Sequence, residues 1–199
     1  PDRADVSPRQ SDKGASAPFL IRPYGEEDLA GMLRAWNGVV EAGNAFPQTD
    51  PLNEDRAREF FASQSHCGVA VRAAADADGA VAAEAAATSA VLGMYILHPN
   101  NVGRCGHVAN ASYAVASSAR GLGLGRELVK DSLAQAARKG FRGLQFNVVV
   151  ATNEAAIHLY EDLGFTRVGT VPGGFCNFLG GYEDMHIYYK SCVDGRRPC

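Results

Sequence analysis

The chain has 199 residues, a formal net charge of −3 and 21% charged residues, a length that suits one domain with a substantial core and a charge that gives no basic footprint for nucleic acid. No apolar run approaches the ~20 residues of a membrane span, and the first residues lack the apolar core of a signal peptide. The cysteines Cys67, Cys105, Cys176, Cys192 and Cys199 form no Cys-x-x-Cys pair, which reads as reduced thiols in a cytoplasmic protein and not as a metal site or a disulfide frame.

Residues 1–17 are rich in Asp, Ser, Pro, Lys and Arg and have little to bury, so a disordered leader is expected before a domain over 18–191 and a flexible tail over 192–199. Phe19 to Pro23 reads as the first strand. Glu26 and Glu27 open a helix in which Leu29, Met32, Leu33 and Trp36 recur at helical spacing and Val39 and Val40 extend it. After a loop from Gly43, Asp50-Pro51 suits an N-cap and first turn for a helix through Phe60 and Phe61. Cys67 to Arg72 and Val91 to Leu97 are strands. Between them, Ala73 to Ala87 sets the hairpin signal of Asp78-Gly79 against a run of helix-favouring alanines; the conformation stays open, with a long hairpin as the working reading. His98-Pro99-Asn100-Asn101 ends that arm, and His107 to Ala116 is the central strand.

The central strand leads through Ser117, Ser118 and Ala119 into Arg120-Gly121-Leu122-Gly123-Leu124-Gly125-Arg126, a glycine-alternating turn before an amphipathic helix. Glycines let the backbone approach a ligand closely, and the first N–H groups of a helix have no intrahelical partner, so this is a design for holding an anion. A dinucleotide fingerprint fails, because the third glycine position falls on Arg126 or Leu128. A Walker phosphate loop fails too, because Arg126-Glu127 follows Gly125. Downstream, a strand Leu144 to Val150 precedes a short helix. Asn153 stands at its start, Gly164 at its stop, and Ala156, Leu159, Tyr160 and Leu163 lie on one face. Asn110 and Asn147 interrupt two apolar strands. A buried amide without partners costs roughly 1–3 kcal/mol, so each must be satisfied by backbone, water or ligand.

Arg120-x-x-Gly123-x-Gly125 and Asn153-x-x-Ala156-x-x-Leu159-Tyr160-x-x-x-Gly164-Phe165 together resemble the two signatures of the GCN5-related N-acetyltransferases (GNAT). Phe146 to Asn153, Asn110-Ala111, Val171-Pro172, Leu179-Gly180 and Asp184-x-x-x-Tyr188-Tyr189 narrow the resemblance to the proline-analogue, or L-azetidine-2-carboxylate, N-acetyltransferases. The resemblance implies a single-domain α/β (α+β) fold with a mixed, mostly antiparallel sheet of six to seven strands, splayed at the cofactor cleft and flanked by helices.

It also implies acetyl-CoA as co-substrate, its pantetheine arm paired with backbone at Tyr113, Ala114 and Val115. Its pyrophosphate would take N–H groups from Gly121, Leu122, Gly123, Leu124, Gly125 and Arg126, helped by Arg120. By the same resemblance Asn110 and Asn147 bind a small amino or imino acid, Asn153 lies beside the cofactor near the reacting atoms, and Tyr160 also contacts the cofactor and protonates the leaving thiolate. Many members carry a glutamate base on the central strand; His107 to Ala116 has none, and between His107 and a water line the base stays open, with His107 read as an ordinary strand-end histidine. Other readings are a phosphinothricin- or aminoglycoside-type acetyltransferase and a non-catalytic acyl-CoA-binding module, against which Tyr160 argues. A small-molecule amine is the expected partner, with no metal, nucleic acid or membrane; a homodimer and the purpose of the reaction, detoxification among others, are left open.

Overall fold

The computed structural model describes residues 19–72 and 90–193. The expected leader, the hairpin over 73–87 and the tail from 194 lie outside the described residues. Strands β1 (Phe19–Pro23), β2 (His66–Arg72), β3 (Val91–Pro99), β4 (Val108–Val115), β5 (Gly143–Val150), β6 (Thr166–Cys176) and β7 (Tyr182–Ser191) form a single sheet. Their order is β1-β2-β3-β4-β5-β7-β6. Neighbours are antiparallel throughout except β4 and β5, which run parallel. The expected splayed, mostly antiparallel sheet is therefore the one observed.

Helices cover both faces of the middle of the sheet, and the apolar runs of β2 and β3 follow from that. On one face Met32 and Trp36 of α1 (Leu29–Ala42) and Phe61 of α2 (Glu54–Ala62) pack on Val69, Val71, Met94 and Ile96. On the other, Leu124, Leu128 and Val129 of α3 (Leu124–Arg138) pack on Leu97, Ala109, Ala111 and Phe146, with α4 (Glu154–Asp162) beside them. Each such large side chain contributes about 1.5–3 kcal/mol by leaving water.

Several boundaries depart from the sequence expectation. Glu26–Asp28 form a 3-10 turn and α1 proper starts at Leu29. Asp50-Pro51 does not cap α2; Asn53 does, its extended backbone letting Oδ1 accept from Arg56 N at 2.9 Å. β3 runs on through His98 and Pro99, paired with Asn110 and Ala109, so the arm continues where the sequence suggested that it ends. Gly125 is the second residue of α3, and only Gly121 and Gly123 belong to the turn.

The connection from α1 to α2 carries Ala45, Phe46, Pro47 and Gln48 to the mouth of the main cleft. It is pinned at its far end by Asn37, whose Nδ2 donates to Leu52 O at 2.8 Å while its Oδ1 accepts from Leu52 N at 2.9 Å. Phe46 packs against Trp36, ring centroids 4.5 Å apart, and Phe178 N donates to Gly43 O across from the β6–β7 turn. Asn37→Ala should cost about 1–3 kcal/mol, because two backbone groups lose partners at once. Urea unfolding of the variant against wild type checks this, with the slope expected unchanged.

Candidate active site

β4 and β5 pair only at Val108↔Gly143, Ala109↔Leu144 and Asn110↔Gln145, and then part. β5 stays paired with β7 on both sides of a bulge between Phe146 and Val149, where the strand bends and leaves β4. Ala116 N donates to Leu92 O and Val108 O accepts from Asn100 N, so even-numbered residues of β4 turn their peptide groups toward β3. Ala111, Tyr113 and Val115 therefore turn theirs into the gap, an edge that an extended ligand could complete. Ala114 has the opposite orientation: its peptide faces β3, and its side chain is buried under α1. The gap is part of a cleft of about 420 Å³.

At the exit of β4 the chain forms the cradle. Gly121 (φ 79°) and Gly123 (φ 74°) both take the left-handed conformation, which L side chains rarely adopt. The N–H groups of Gly121 to Gly125 make no backbone hydrogen bond among the described residues, whereas Arg126 N is bonded to Gly123 O. Leu124 is buried and anchors the turn to the core, so only its N–H is available to a ligand. Arg126 is held by Asp162 of α4 at 2.8 Å, which ties the cradle to the second signature. Arg120 is exposed, with no ion pair among the described residues.

Alternation along the strands puts Asn110, Gln145 and Asn147 on the face toward α1. Asn100, at the end of β3, joins them. Its Oδ1 accepts from Asn110 Nδ2 at 3.1 Å and from Asn147 Nδ2 at 2.6 Å, while Gln145 Nε2 donates to Asn147 Oδ1 at 2.8 Å. The two interrupting asparagines are thus brought together, but by a third side chain, neither backbone nor ligand. Sequence reading missed Asn100 because it sits in a segment that looks like a turn. It missed His98 for the same reason: His98 stands opposite Asn110 in the β3–β4 register and lines the cleft. His107 is exposed, with Nδ1 3.0 Å from Arg104 O, and does not line the cleft.

The opposite wall is aromatic. The Tyr160 ring lies 4.4 Å from Phe146, 5.8 Å from Phe165 and 6.1 Å from Tyr188, centroid to centroid. Its hydroxyl has no hydrogen bond among the described residues, and burial pushes the phenol well above its usual range, so it stays protonated at neutral pH. Tyr113, by contrast, spends its hydroxyl on Ser132 Oγ at 2.7 Å, because Ser132 itself donates to Val129 O. Asn153 caps α4, its Oδ1 accepting from Ala156 N at 3.2 Å, which leaves the Nδ2 end of the amide for the cleft it lines.

An open strand edge suits a polyamide arm and a ring of unpaired N–H groups suits a diphosphate; the edge lines the cleft beside a protonated phenol, the cradle reaches that cleft at Gly125, and this defines an acyl-CoA-dependent transferase. The chain belongs to the Acetyltransferase (GNAT) family, whose profile matches residues 49–165. It is 33% identical over 169 residues to N-acetyltransferase aca1 of Schizosaccharomyces pombe, covering 82% of this chain and 79% of that one. A GCN5-related N-acetyltransferase from Kribbella flavida is 36% identical, with a TM-score of 0.73 over 87% of this chain and 98% of its own. A phosphinothricin acetyltransferase from Sinorhizobium meliloti, solved with acetyl-CoA, shares the fold at 20% identity, TM-score 0.73, over 87% of this chain and 88% of its own. The protein is an N-acetyltransferase with acetyl-CoA as co-substrate.

Acetyl-CoA should raise the melting temperature increasingly with its concentration, since only the folded cradle offers converging N–H groups. NAD and ATP at equal concentration should not match it. Gly123→Val should remove the acetyl-CoA shift, because a β-branched side chain at φ 74° forces the turn out of shape. A differential scan of both proteins with the three ligands reads the result.

Proposed function

We propose that the protein acetylates the amine of a small amino or imino acid of the proline-analogue type. The observation that carries this reading is the amide cluster in which Asn110 and Asn147 line the cleft, braced by Asn100 and Gln145. It is neutral, polar and pre-ordered by its own hydrogen bonds. No Asp, Glu, Lys or Arg is among the described residues lining the cleft. Such a wall suits a compact zwitterion, whose carboxylate takes amide N–H donors, better than a polycationic aminoglycoside that favours carboxylates.

The cofactor supplies an activated acetyl thioester. Gly121 to Gly125 and Arg120 hold its diphosphate, and the free edge at Ala111, Tyr113 and Val115 aligns its arm. Asn153 orients groups near the thioester with Nδ2. Tyr160, protonated and without a hydrogen-bond partner among the described residues, donates a proton to the departing sulfur. The aromatic packing around Tyr160 fixes the phenol and excludes water from that wall. The 20% identical phosphinothricin acetyltransferase keeps a second amino-acid-like substrate in view, and the same assay separates the two.

Tyr160→Phe keeps the ring packing and should lower kcat roughly 10²–10⁴-fold while leaving the acetyl-CoA thermal shift intact; steady-state kinetics with thiol detection measure it. Asn110→Ala and Asn147→Ala should each raise KM for azetidine-2-carboxylate by roughly one to two powers of ten, the worth of one hydrogen bond to a charged group. The methyl ester of the substrate should show the same loss with wild-type enzyme. An ester acetylated as well as the free acid, or an aminoglycoside turned over faster, would displace this reading.

A further inference from the structure

Acetylation of an amine at neutral pH requires a group that removes a proton, and the cleft is short of candidates. Its described lining contains three side chains that ionise, His98, Tyr113 and Tyr160. Tyr113 is bonded to Ser132, and burial holds both phenols protonated, which suits donors and disqualifies them as bases. Histidine is the side chain whose ordinary titration range lies near neutrality.

The setting of His98 favours that task. It is the penultimate residue of β3, directly opposite Asn110, so its side chain emerges on the same face as the amide cluster. It is half-buried, and its Nδ1 lies 2.9 Å from Pro99 O. A carbonyl accepts only, so Nδ1 carries the hydrogen and Nε2 keeps its lone pair. Nε2 makes no hydrogen bond among the described residues and is not a buried orphan; it is reachable by substrate or water. One neighbouring carbonyl thus sets the tautomer a base needs.

We propose that His98 is the general base of the reaction, a role that rests on the amino-acid reading of the site above. The protonated amine gives one proton to His98 Nε2, and its freed electron pair forms the N–C bond to the acetyl carbonyl. The C–S bond breaks, its electron pair leaves on sulfur, and the thiolate takes the Tyr160 proton. The second proton of the acylated nitrogen restores the phenol, and His98 returns its proton to solvent. The sum is amide, free thiol and one proton, with nothing oxidised or reduced.

The test compares two imino acids of different basicity. His98→Asn keeps a donor for Pro99 O and removes the base. With azetidine-2-carboxylate its kcat should fall roughly 10²-fold or more, while the acetyl-CoA thermal shift stays at the wild-type value and shows that the fold and cofactor site are intact. Thiazolidine-4-carboxylate, whose ring sulfur withdraws electrons and leaves more of the amine unprotonated, should lose far less. His98→Ala should regain turnover when imidazole is added to the buffer. Equal losses on both amines without imidazole rescue, a rise in KM alone, or an unchanged kcat would overturn the assignment. If wild-type enzyme acetylates neither imino acid but another amine instead, the substrate reading fails by itself. His98 is then judged by the same variants on that amine and a less basic analogue.

Discussion

The separation of β4 from β5 after three paired residues is the constraint on which the rest of the molecule depends. A parallel pair that continued would close the sheet and satisfy the peptide groups of Ala111, Tyr113 and Val115, leaving nowhere for a ligand to pass. The bulge in β5 prevents this by bending the strand away from β4 while it stays paired with β7 on either side. Aromatic rings fill the space this creates: Phe146 from β5 meets Tyr113 from β4 at 5.7 Å and Tyr160 from α4 at 4.4 Å. The gap is held open by packing, and the edge at Ala111, Tyr113 and Val115 stays without a strand partner among the described residues.

Two chemically different walls result from one sheet. Alternation sends Asn110, Gln145, Asn147 and His98 to the α1 side, and it sends Tyr113 and Phe146 to the α3 side, where Tyr160 packs on them. The amide cluster and the Tyr160 phenol are therefore kept apart by the thickness of the sheet. The parted strands join them. The cost of polar residues in the middle of a sheet is contained because Asn100 accepts from two of the amides at once, so the cluster is ordered by its own hydrogen bonds. Interactions already in place at binding lose little to reorganisation.

Rigidity around the cleft comes from few long-range ties. Arg126–Asp162 couples the cradle to α4, Tyr188 Oη donates to Glu161 Oε1 at 2.7 Å, and Lys190 Nζ donates to Leu163 O. Together they set α4, and with it Tyr160, against both the cofactor turn and β7. The α1–α2 connection has a different status: Asn37, Trp36 and the Gly43–Phe178 contact hold it at separate points. It presents Phe46 and Gln48 to the mouth of the cleft, where substrate selection by shape would occur.

Local chemistry made much of this legible in the sequence. The glycine-alternating turn, the cap at Asn153, the helical stripes of α1 and α4 and the intruding Asn110 and Asn147 are each properties of a few adjacent residues, and they fixed the family, the cofactor and the layout of the sheet. Asp50-Pro51 misled because a good cap signal lost to Asn53 once Asn37 had pinned Leu52, a tie spanning 15 residues. Asn100 and His98 looked like turn residues because nothing in their own neighbourhood marks them. Their placement comes from strand register, which sets His98 opposite Asn110 and brings Asn100 to Asn147 across 47 residues of chain. Likewise, Ala114 cannot be told from Tyr113 and Val115 until the parity of the β3 pairing is known. The sequence by itself determined which residue types were present for acetyl transfer. Only the tertiary structure decided which peptide groups and side chains face the gap, because facing is a property of paired strands and not of any one of them.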